Sequence, residues 1–253
     1  MPESSEGRLR KLWNSSIGPK IVMGLTGVIL VGFVLVHMAG NLQIYIGSET
    51  FNNYAQTLQS MKAVVWATRV VLLVSVLLHI AAAYRLTIVN MRARPQAYAA
   101  ARRYGKTSYA ALFMRGSGVV LLAFIVFHIL HFTVGAIQHD NWDLHEVLRN
   151  GVWVREANPD ILAKLPADQV RHDAYSMFVR GFQNPLVAGW YVLSMLLLGS
   201  HLRHGVSSML ATLGVSYGSA RALAERVGLA VAALVMLGNI SFPIAVQAGL
   251  VHL

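Results

Sequence analysis

The sequence predicts an all-α integral membrane protein, a bundle of five transmembrane helices. Of the 253 residues, 55% are hydrophobic and only 13% are charged, and the mean hydropathy is +0.52. This composition is too apolar for a soluble domain of that length. Five apolar stretches are each long enough to cross about 30 Å of hydrocarbon at about 1.5 Å per residue. They cover residues 21–46, 63–90, 113–138, 185–212 and 226–250. We therefore expect residues 1–253 to form a single membrane domain.

The first stretch, residues 21–46, is predicted to span the membrane rather than to be a signal peptide. It is longer than a signal-peptide core and has no Ala-x-Ala cleavage site. Lysine and arginine are concentrated on the side that holds the N-terminus. The positive-inside rule then predicts a cytoplasmic N-terminus. We expect a multi-pass protein of a bacterial or archaeal-type cell membrane. We assign the net charge of +10 to this membrane face, where it could attract anionic lipid or an acidic partner, and not to nucleic-acid binding.

Residues 139–184 form the one long predicted connection, which is partly acidic and contains Pro159 and Pro166. Loops longer than about 15 residues usually bind or cover something, so we expect this connection to cap the outer face. The chain has no cysteine, which excludes disulfides and metal groups held by thiolates of this chain. Any metal chemistry must therefore use histidine or carboxylate side chains.

One segment of the chain occurs twice. TGVILVGFVLVH, residues 26–37, is followed later by SGVVLLAFIVFH, residues 117–128. Aligned without gaps, the two segments match at Thr26/Ser117, Gly27/Gly118, Val28/Val119, Leu30/Leu121, Phe33/Phe124 and His37/His128. Each segment ends on a histidine inside a predicted span. The repeat predicts that the two imidazoles lie at equal depth on two helices that run in the same direction.

Six of the ten histidines lie within or near the predicted spans. They are His37, His79, His128, His131, His201 and His204. Ionisable side chains inside a bilayer are costly and usually functional, although a single neutral imidazole can simply bond to a backbone carbonyl. At about 1.5 Å per residue, His37 and His128 lie about 20–24 Å along two outward-running helices. On the same basis, His79 and His201 lie about 22–24 Å along two inward-running helices. The four histidines therefore form two pairs at two depths.

Two facing imidazoles in a helical bundle are typical axial ligands of a b-type haem. A macrocycle between opposed helices needs small residues on the histidine faces. The sequence offers Gly27 and Gly118, ten residues before the histidines of the first and third helices, and Ala83 and Gly205, four residues after the other two. Small residues also occur in ordinary close helix packing.

Two further histidines compete for ligand positions, because His131 and His204 each lie three residues after His128 and His201. The repeat favours His128, since the repeated segment ends there. The segments HIAAA and HLRHG share a histidine–apolar–x–x–small pattern, which favours His201. The predicted metal ligands are His37, His79, His128 and His201. We assign His131 and His204 to positions beside the ligands or the haem propionates.

With these residues in place, the sequence resembles the di-haem cytochrome b membrane anchor of succinate:quinone oxidoreductases, including fumarate reductases. The motifs that carry the resemblance cover four of the five predicted helices in the order found in that family. They are HMAGNLQ (37–43), GSETFNNYA (47–55), LLHIAAAYRL (77–86), RGSGVVLLAFIVFHILHF (115–132) and HLRHGVSSMLATLG (201–214).

The resemblance implies a five-helix single-chain anchor in which four helices enclose two stacked haems b. The first and third helices would ligate one haem and the second and fourth helices the other, which gives the same four histidines. Such an anchor binds a flavoprotein subunit and an iron–sulfur subunit on the cytoplasmic side, and the dicarboxylate site is on a partner. The anchor passes electrons between the iron–sulfur subunit and a membrane quinone, often menaquinone.

The resemblance also implies roles for residues outside the ligand set. Glu49 lies in the loop after the first helix, where quinone protonation would occur, although a solvated loop carboxylate is the alternative. Arg115, at the start of the third-helix motif, is a candidate cofactor-binding residue. Some fumarate reductases have a glutamate two residues before the fourth-helix ligand, whereas this chain has Gly199. A proton path of that form is therefore not expected.

Two other functions use similar features. Di-haem anchors of the nitrate reductase or hydrogenase type place two ligands on each of two helices, whereas this chain has one candidate ligand on each of four. A proton-coupled transporter could use the histidines as relays. Redox-active haem absorption would separate the transporter from both haem-binding functions.

Overall fold

The computed structural model describes residues 5–15, 17–93, 109–214, 218 and 220–253, and it is 80% helical. In chain order the α-helices of this part are α1 (Ser5–Asn14), α2 (Gly18–Asn41), α3 (Ser48–Ser60), α4 (Lys62–Arg92), α5 (Tyr109–His128), α6 (His139–Trp142), α7 (Pro159–Leu162), α8 (Ala174–Gln183), α9 (Pro185–Thr212) and α10 (Ala220–Gln247). A 3-10 turn, Leu42–Tyr45, follows α2, and a π-turn, Ile129–Thr133, follows α5. Three short strands lie between α6 and α8, namely β1 (His145–Arg149), β2 (Val152–Glu156) and β3 (Val170–His172).

Five of these helices, α2, α4, α5, α9 and α10, are long and apolar enough to cross a membrane. They match the five predicted spans in number and order. The prediction of an all-α membrane bundle is therefore confirmed for the architecture of the long helices. The three strands are the exception to the all-α prediction.

The third span is shorter than predicted. Helix α5 ends at His128, continues as the π-turn Ile129–Thr133 and then leaves the helical path before residue 138. Gly135 adopts a φ of +72°, a left-handed conformation that commonly ends helices and favours glycine. The ring of Trp142 lies where a Cβ of Gly135 would be, so this close approach also requires glycine.

The fifth span lies earlier in the chain than predicted, over Ala220–Gln247 rather than 226–250. The first two turns of this helix carry Arg221, Glu225 and Arg226, so the uninterrupted apolar stretch begins later than the helix itself. At the other end Gly249 has a φ of +70° and the N–H of Leu250 donates to the carbonyl of Ala245 at 2.9 Å. This glycine-terminated end stops the helix before residue 250.

The chain divides into two compact units. The first unit contains Met1–Leu35, Ala67–Arg115 and Gly199–Ala233, and the second contains Val36–Trp66, Gly116–Leu198 and Leu234–Leu253. Each of the five long helices contributes residues to both units. His79 and His201 belong to the first unit, whereas His37 and His128 belong to the second.

The 139–184 connection folds as part of the second unit. Its sheet has the order β2-β1-β3, and β1 pairs antiparallel with both neighbours. Val147 at the centre of β1 is fully buried. Strands β1 and β2 are joined by Asn150 and Gly151, which have φ values of 53° and 81°, the two-residue turn that Asn-Gly favours in hairpins. The all-α prediction was therefore wrong for this segment.

Helix α8 closes the connection. The Asp173 side chain accepts a hydrogen bond from the Ser176 N–H at 3.0 Å and caps the helix. Its buried face carries Phe178, Val179 and Phe182, which belong to the apolar core of the second unit. The connection is thus a folded substructure with its own buried side chains.

Candidate functional site

The four predicted ligands meet as two pairs. The ring centroids of His37 and His128 are 5.8 Å apart with an interplanar angle of 82°. The ring centroids of His79 and His201 are 6.5 Å apart with an angle of 50°. The pairing that depth and direction predicted is the pairing observed, first helix with third and second helix with fourth.

Both separations fit one metal ion between two imidazoles. A metal–imidazole bond is about 2 Å long, and a ring nitrogen lies about 1.1 Å from its ring centre, so two rings across one ion have centroids about 6 Å apart. In the part of the chain that the structure describes, no group of three or more histidine and carboxylate side chains could hold a metal. Two protein ligands per ion are what a b-type haem requires, because its ring supplies the other donors.

The hydrogen bonding of His79 leaves a nitrogen suited to a metal. The Thr26 hydroxyl oxygen lies 3.1 Å from Nδ1 of His79, and it also lies 2.8 Å from the carbonyl of Val22. The hydroxyl hydrogen goes to that carbonyl, since a carbonyl can only accept, so the hydroxyl oxygen accepts from Nδ1–H. This arrangement puts the imidazole proton on Nδ1 and leaves the lone pair on Nε2. Metal-ligating histidines typically donate their other ring N–H in this way.

His128 is held by a hydroxyl from another helix. The Tyr191 oxygen in α9 lies 3.1 Å from Nδ1 of His128 and 3.1 Å from Nδ1 of His131. Aromatic rings also surround His128, with Phe124 stacked at 5.8 Å between centroids and Phe132 edge-on at 5.8 Å. His128 therefore lies among aromatic rings, with the Tyr191 hydroxyl as a polar neighbour.

The nitrogen of His37 that would bind a metal also carries a lone pair. The Asn41 amide Nδ2 lies 3.2 Å from Nε2 of His37, one helical turn away. An amide NH₂ can only donate, so Nε2 of His37 is the acceptor. Metal binding through this nitrogen requires the Asn41 amide to turn aside.

The competing histidine of the third span, His131, is packed against a different helix. It is 2% exposed, and a Cβ added at Gly181 in α8 would lie 3.2 Å from both Cε1 and Nε2 of the His131 ring. A methyl group would already be crowded at that edge, which leaves no room for a macrocycle. His131 therefore fits the position beside a ligand that the sequence predicts. His204 is half-buried, and the Ser207 hydroxyl donates to its backbone carbonyl at 3.0 Å.

The predicted small residues lie at half-buried positions of the long helices. A Cβ added at Gly27 would lie 3.9 Å from Cε1 of His79, and one added at Gly205 would meet no atom within 4 Å. Gly27 thus lies beside His79, which the sequence did not indicate, and its place on the His37 face of the first helix stays a prediction. Gly118 and Ala83 are half-buried, and Arg115 in α5 is exposed.

The long helices differ from the connection in how closely their backbones approach one another. Among the described residues, close backbone approaches concentrate in the strands, α3, α6 and α8, and are few between the long helices. One exception lies in the first unit, where a Cβ at Gly228 would be 2.8 Å from the carbonyl oxygen of Arg203. The donor set and the ring separations are those that two bis-imidazole haems would need.

Glu49, the candidate for quinone protonation, is held in an ion pair. Its carboxylate accepts from both terminal nitrogens of Arg171, at 2.8 and 3.2 Å. The Glu49 side chain is 62% exposed, whereas that of Arg171 is 1% exposed. The hydrogen bond from Arg171 lowers the pKa of Glu49. A carboxylate held charged in this way favours a structural role in the α3 contact, and the protonation role stays a prediction.

Comparisons with known proteins add no identity. No family model, no curated protein and no solved structure matches this chain. The geometry above and the sequence motifs are therefore the grounds for a functional proposal.

Sequence reasoning missed the side chains that orient the imidazoles. Thr26 and Asn41 sit inside quoted motifs but had no assigned role, and Tyr191 and Gly181 lie outside every motif. A signal existed for Thr26, because the repeat preserves a small hydroxyl residue at that position. Tyr191 gives no such signal, since its partners come from a different helix.

Proposed function

We propose that this chain is the di-haem cytochrome b membrane anchor of a succinate:quinone oxidoreductase. The observation that carries the proposal is the pairing of four histidines from four long helices into two sites, each with ring centroids about 6 Å apart. Each helix gives one histidine to one pair, as the family resemblance implies. Anchors of the nitrate reductase or hydrogenase type concentrate two ligands on each of two helices, and this chain does not match that distribution.

When bound, a bis-histidine haem supplies reversible one-electron exchange, which is the chemistry of an electron-transfer subunit between iron–sulfur clusters and a quinone. The residues of this chain prepare the two sites. His37, His79, His128 and His201 would hold the two haem irons through their ring nitrogens. Thr26 and Tyr191 hold the Nδ1 atoms of two of these ligands. Aromatic side chains around His128 keep the imidazole in an apolar environment, which favours the neutral form that a metal requires.

The proposal includes partners and a membrane. A flavoprotein subunit and an iron–sulfur subunit would bind the cytoplasmic face, where basic residues are concentrated on the proposed orientation. The membrane would be a bacterial or archaeal-type cell membrane with the N-terminus inside, and the electron acceptor or donor would be a quinone, with menaquinone the first choice. The dicarboxylate site would lie on the flavoprotein partner.

Purification of the tagged chain in mild detergent, followed by absorption spectroscopy, tests the proposal. We expect a flavoprotein and an iron–sulfur protein to co-purify, two haems b per chain, and reduction of these haems when succinate is added. A chain that carries haem but co-purifies with a molybdenum enzyme or a hydrogenase would belong to the other class of di-haem anchor. A chain without any Soret absorption would refute haem binding and favour a proton-coupled transporter.

A further inference from the structure

The hydroxyl of Tyr191 lies between two imidazoles of the third span. Its oxygen is 3.1 Å from Nδ1 of His128 and 3.1 Å from Nδ1 of His131. All three side chains belong to the second unit. Tyr191 is 6% exposed and His131 is 2% exposed. Water therefore cannot readily replace any of these hydrogen bonds.

A phenol hydroxyl has a single hydrogen, which restricts how the three groups can be satisfied. If both imidazoles carried a proton on Nδ1, the Tyr191 hydrogen would be buried without an acceptor among them. If neither did, one Nδ1 lone pair would face the phenol oxygen without a hydrogen between them. Buried polar groups are nearly always paired. The favoured state therefore has one imidazole donating to Tyr191 and the other accepting from it.

The surroundings decide which imidazole donates. The Cε1–Nε2 edge of His131 packs against Gly181 of α8, which leaves no room for a macrocycle at that edge. His128 instead faces His37 with ring centroids 5.8 Å apart. His128 is therefore the donor through Nδ1–H and keeps its lone pair on Nε2.

We propose that Tyr191 is a positioning residue that makes His128 the ligand of its pair and excludes His131. This inference rests on the proposed function, because it concerns the axial ligand of that site. One hydrogen on one hydroxyl makes the two histidines opposite tautomers, so only one of them can offer Nε2 to a metal. Tyr191 thereby acts in the same direction as the packing of His131 against Gly181, and both favour His128 over the histidine three residues later.

The test compares Tyr191→Phe with Tyr175→Phe in the full-length chain in mild detergent. Tyr191→Phe keeps the ring and removes the hydroxyl. Tyr175→Phe is the matched control, since Tyr175 lies in the same unit and donates to the backbone carbonyl of His252 at 3.0 Å. Removing a partner of a ligating histidine typically lowers metal affinity about 10–100-fold. We expect that loss for the haem of the His37–His128 pair, with a changed low-spin signal and midpoint potential.

Two further measurements keep the outcomes distinct. His131→Phe should retain this haem, because Tyr191 still accepts from His128. In haem-free chain with ¹⁵N-labelled histidine, the nitrogen shifts should report Nδ1–H for His128 and Nε2–H for His131, and Tyr191→Phe should remove this difference. A Tyr191→Phe protein with unchanged haem affinity, potential and low-spin signal would overturn the inference. A wild-type chain that binds no haem would refute the proposed function. The nitrogen shifts would then still test the effect of Tyr191 on the two imidazoles, because the same tautomer at His128 and His131 would overturn the inference.

Discussion

Replacement of Arg171 by methionine should loosen the small sheet of the 139–184 connection. Arg171 donates to Glu146 at 2.8 Å, to Glu49 at 2.8 and 3.2 Å and to Asn53 at 2.7 Å. Its guanidinium also lies 4.3 Å from the centre of the Trp153 ring. The side chain is 1% exposed. This one cation therefore joins α3, β1, β2 and β3.

The expected cost follows from what Arg171→Met leaves behind. Removing one partner of a buried ion pair typically costs about 3–5 kcal/mol. Glu49 is 62% exposed and can regain water, but Glu146 is 15% exposed and keeps only its hydrogen bond from Asn52 at 3.1 Å. Methionine also fills part of the vacated volume. We therefore expect the free energy of unfolding of the sheet to fall by about 3 kcal/mol, the lower end of that range.

Native-state hydrogen exchange of the strand amides measures this loss locally. A loss of about 3 kcal/mol corresponds to about 100-fold faster exchange through local opening. Arg149→Met is the matched control in the same sheet, because Arg149 is 54% exposed and its pair with Glu156 should contribute about 1 kcal/mol or less. The reasoning fails if Arg171→Met speeds exchange of β1 and β3 no more than Arg149→Met does.

Three other substitutions test separate parts of the structure. Glu49→Gln should leave quinone turnover and both haem spectra unchanged and cost about 1 kcal/mol or less; lower turnover with intact spectra would establish the protonation role. Burial lowers the pKa of His172, so the sheet should lose stability as the pH falls below about 6.5, and His172→Gln should abolish this dependence in exchange measurements; an unchanged dependence would exclude His172. Thr26→Val should weaken the haem of the His79–His201 pair about 10-fold or more in titrations and spare the other haem, and equal loss at both sites would contradict the hydrogen-bond assignment.

The sign of the His172 effect follows from linkage. A histidine whose folded pKa lies below its ordinary value binds fewer protons in the folded protein than in the unfolded chain. Its stabilising contribution is complete above about pH 6.5 and is lost as the pH falls through the folded pKa. The neighbouring charges are Asp143 and Asp173, which favour the protonated form, and His145, which opposes it. Burial outweighs the two carboxylates, so the net pKa is lowered.

The sequence predicted the long helices and the histidine pairs well, because both depend on periodic signals within one helix. Apolar length located the spans, and equal spacing along parallel helices placed His37 opposite His128. Prediction failed for short elements and for contacts that join distant segments. The β1–β2 hairpin was not predicted although Asn150–Gly151 is a strong turn signal, because its five-residue strands lack the apolar length that located the spans. The pairing of Arg171 with Glu49 across the chain had no local signal at all.

In the first helix, both ends of the repeated segment contact a histidine of another helix. Thr26, its first residue, accepts a hydrogen bond from His79, and the adjacent Gly27 lies beside the same ring. His37, its last residue, faces His128. A single apolar helix thus supplies an orienting hydroxyl to one histidine pair and an imidazole to the other. In the first helix, the first two residues of the repeated segment therefore have a role of their own beside that of its histidine.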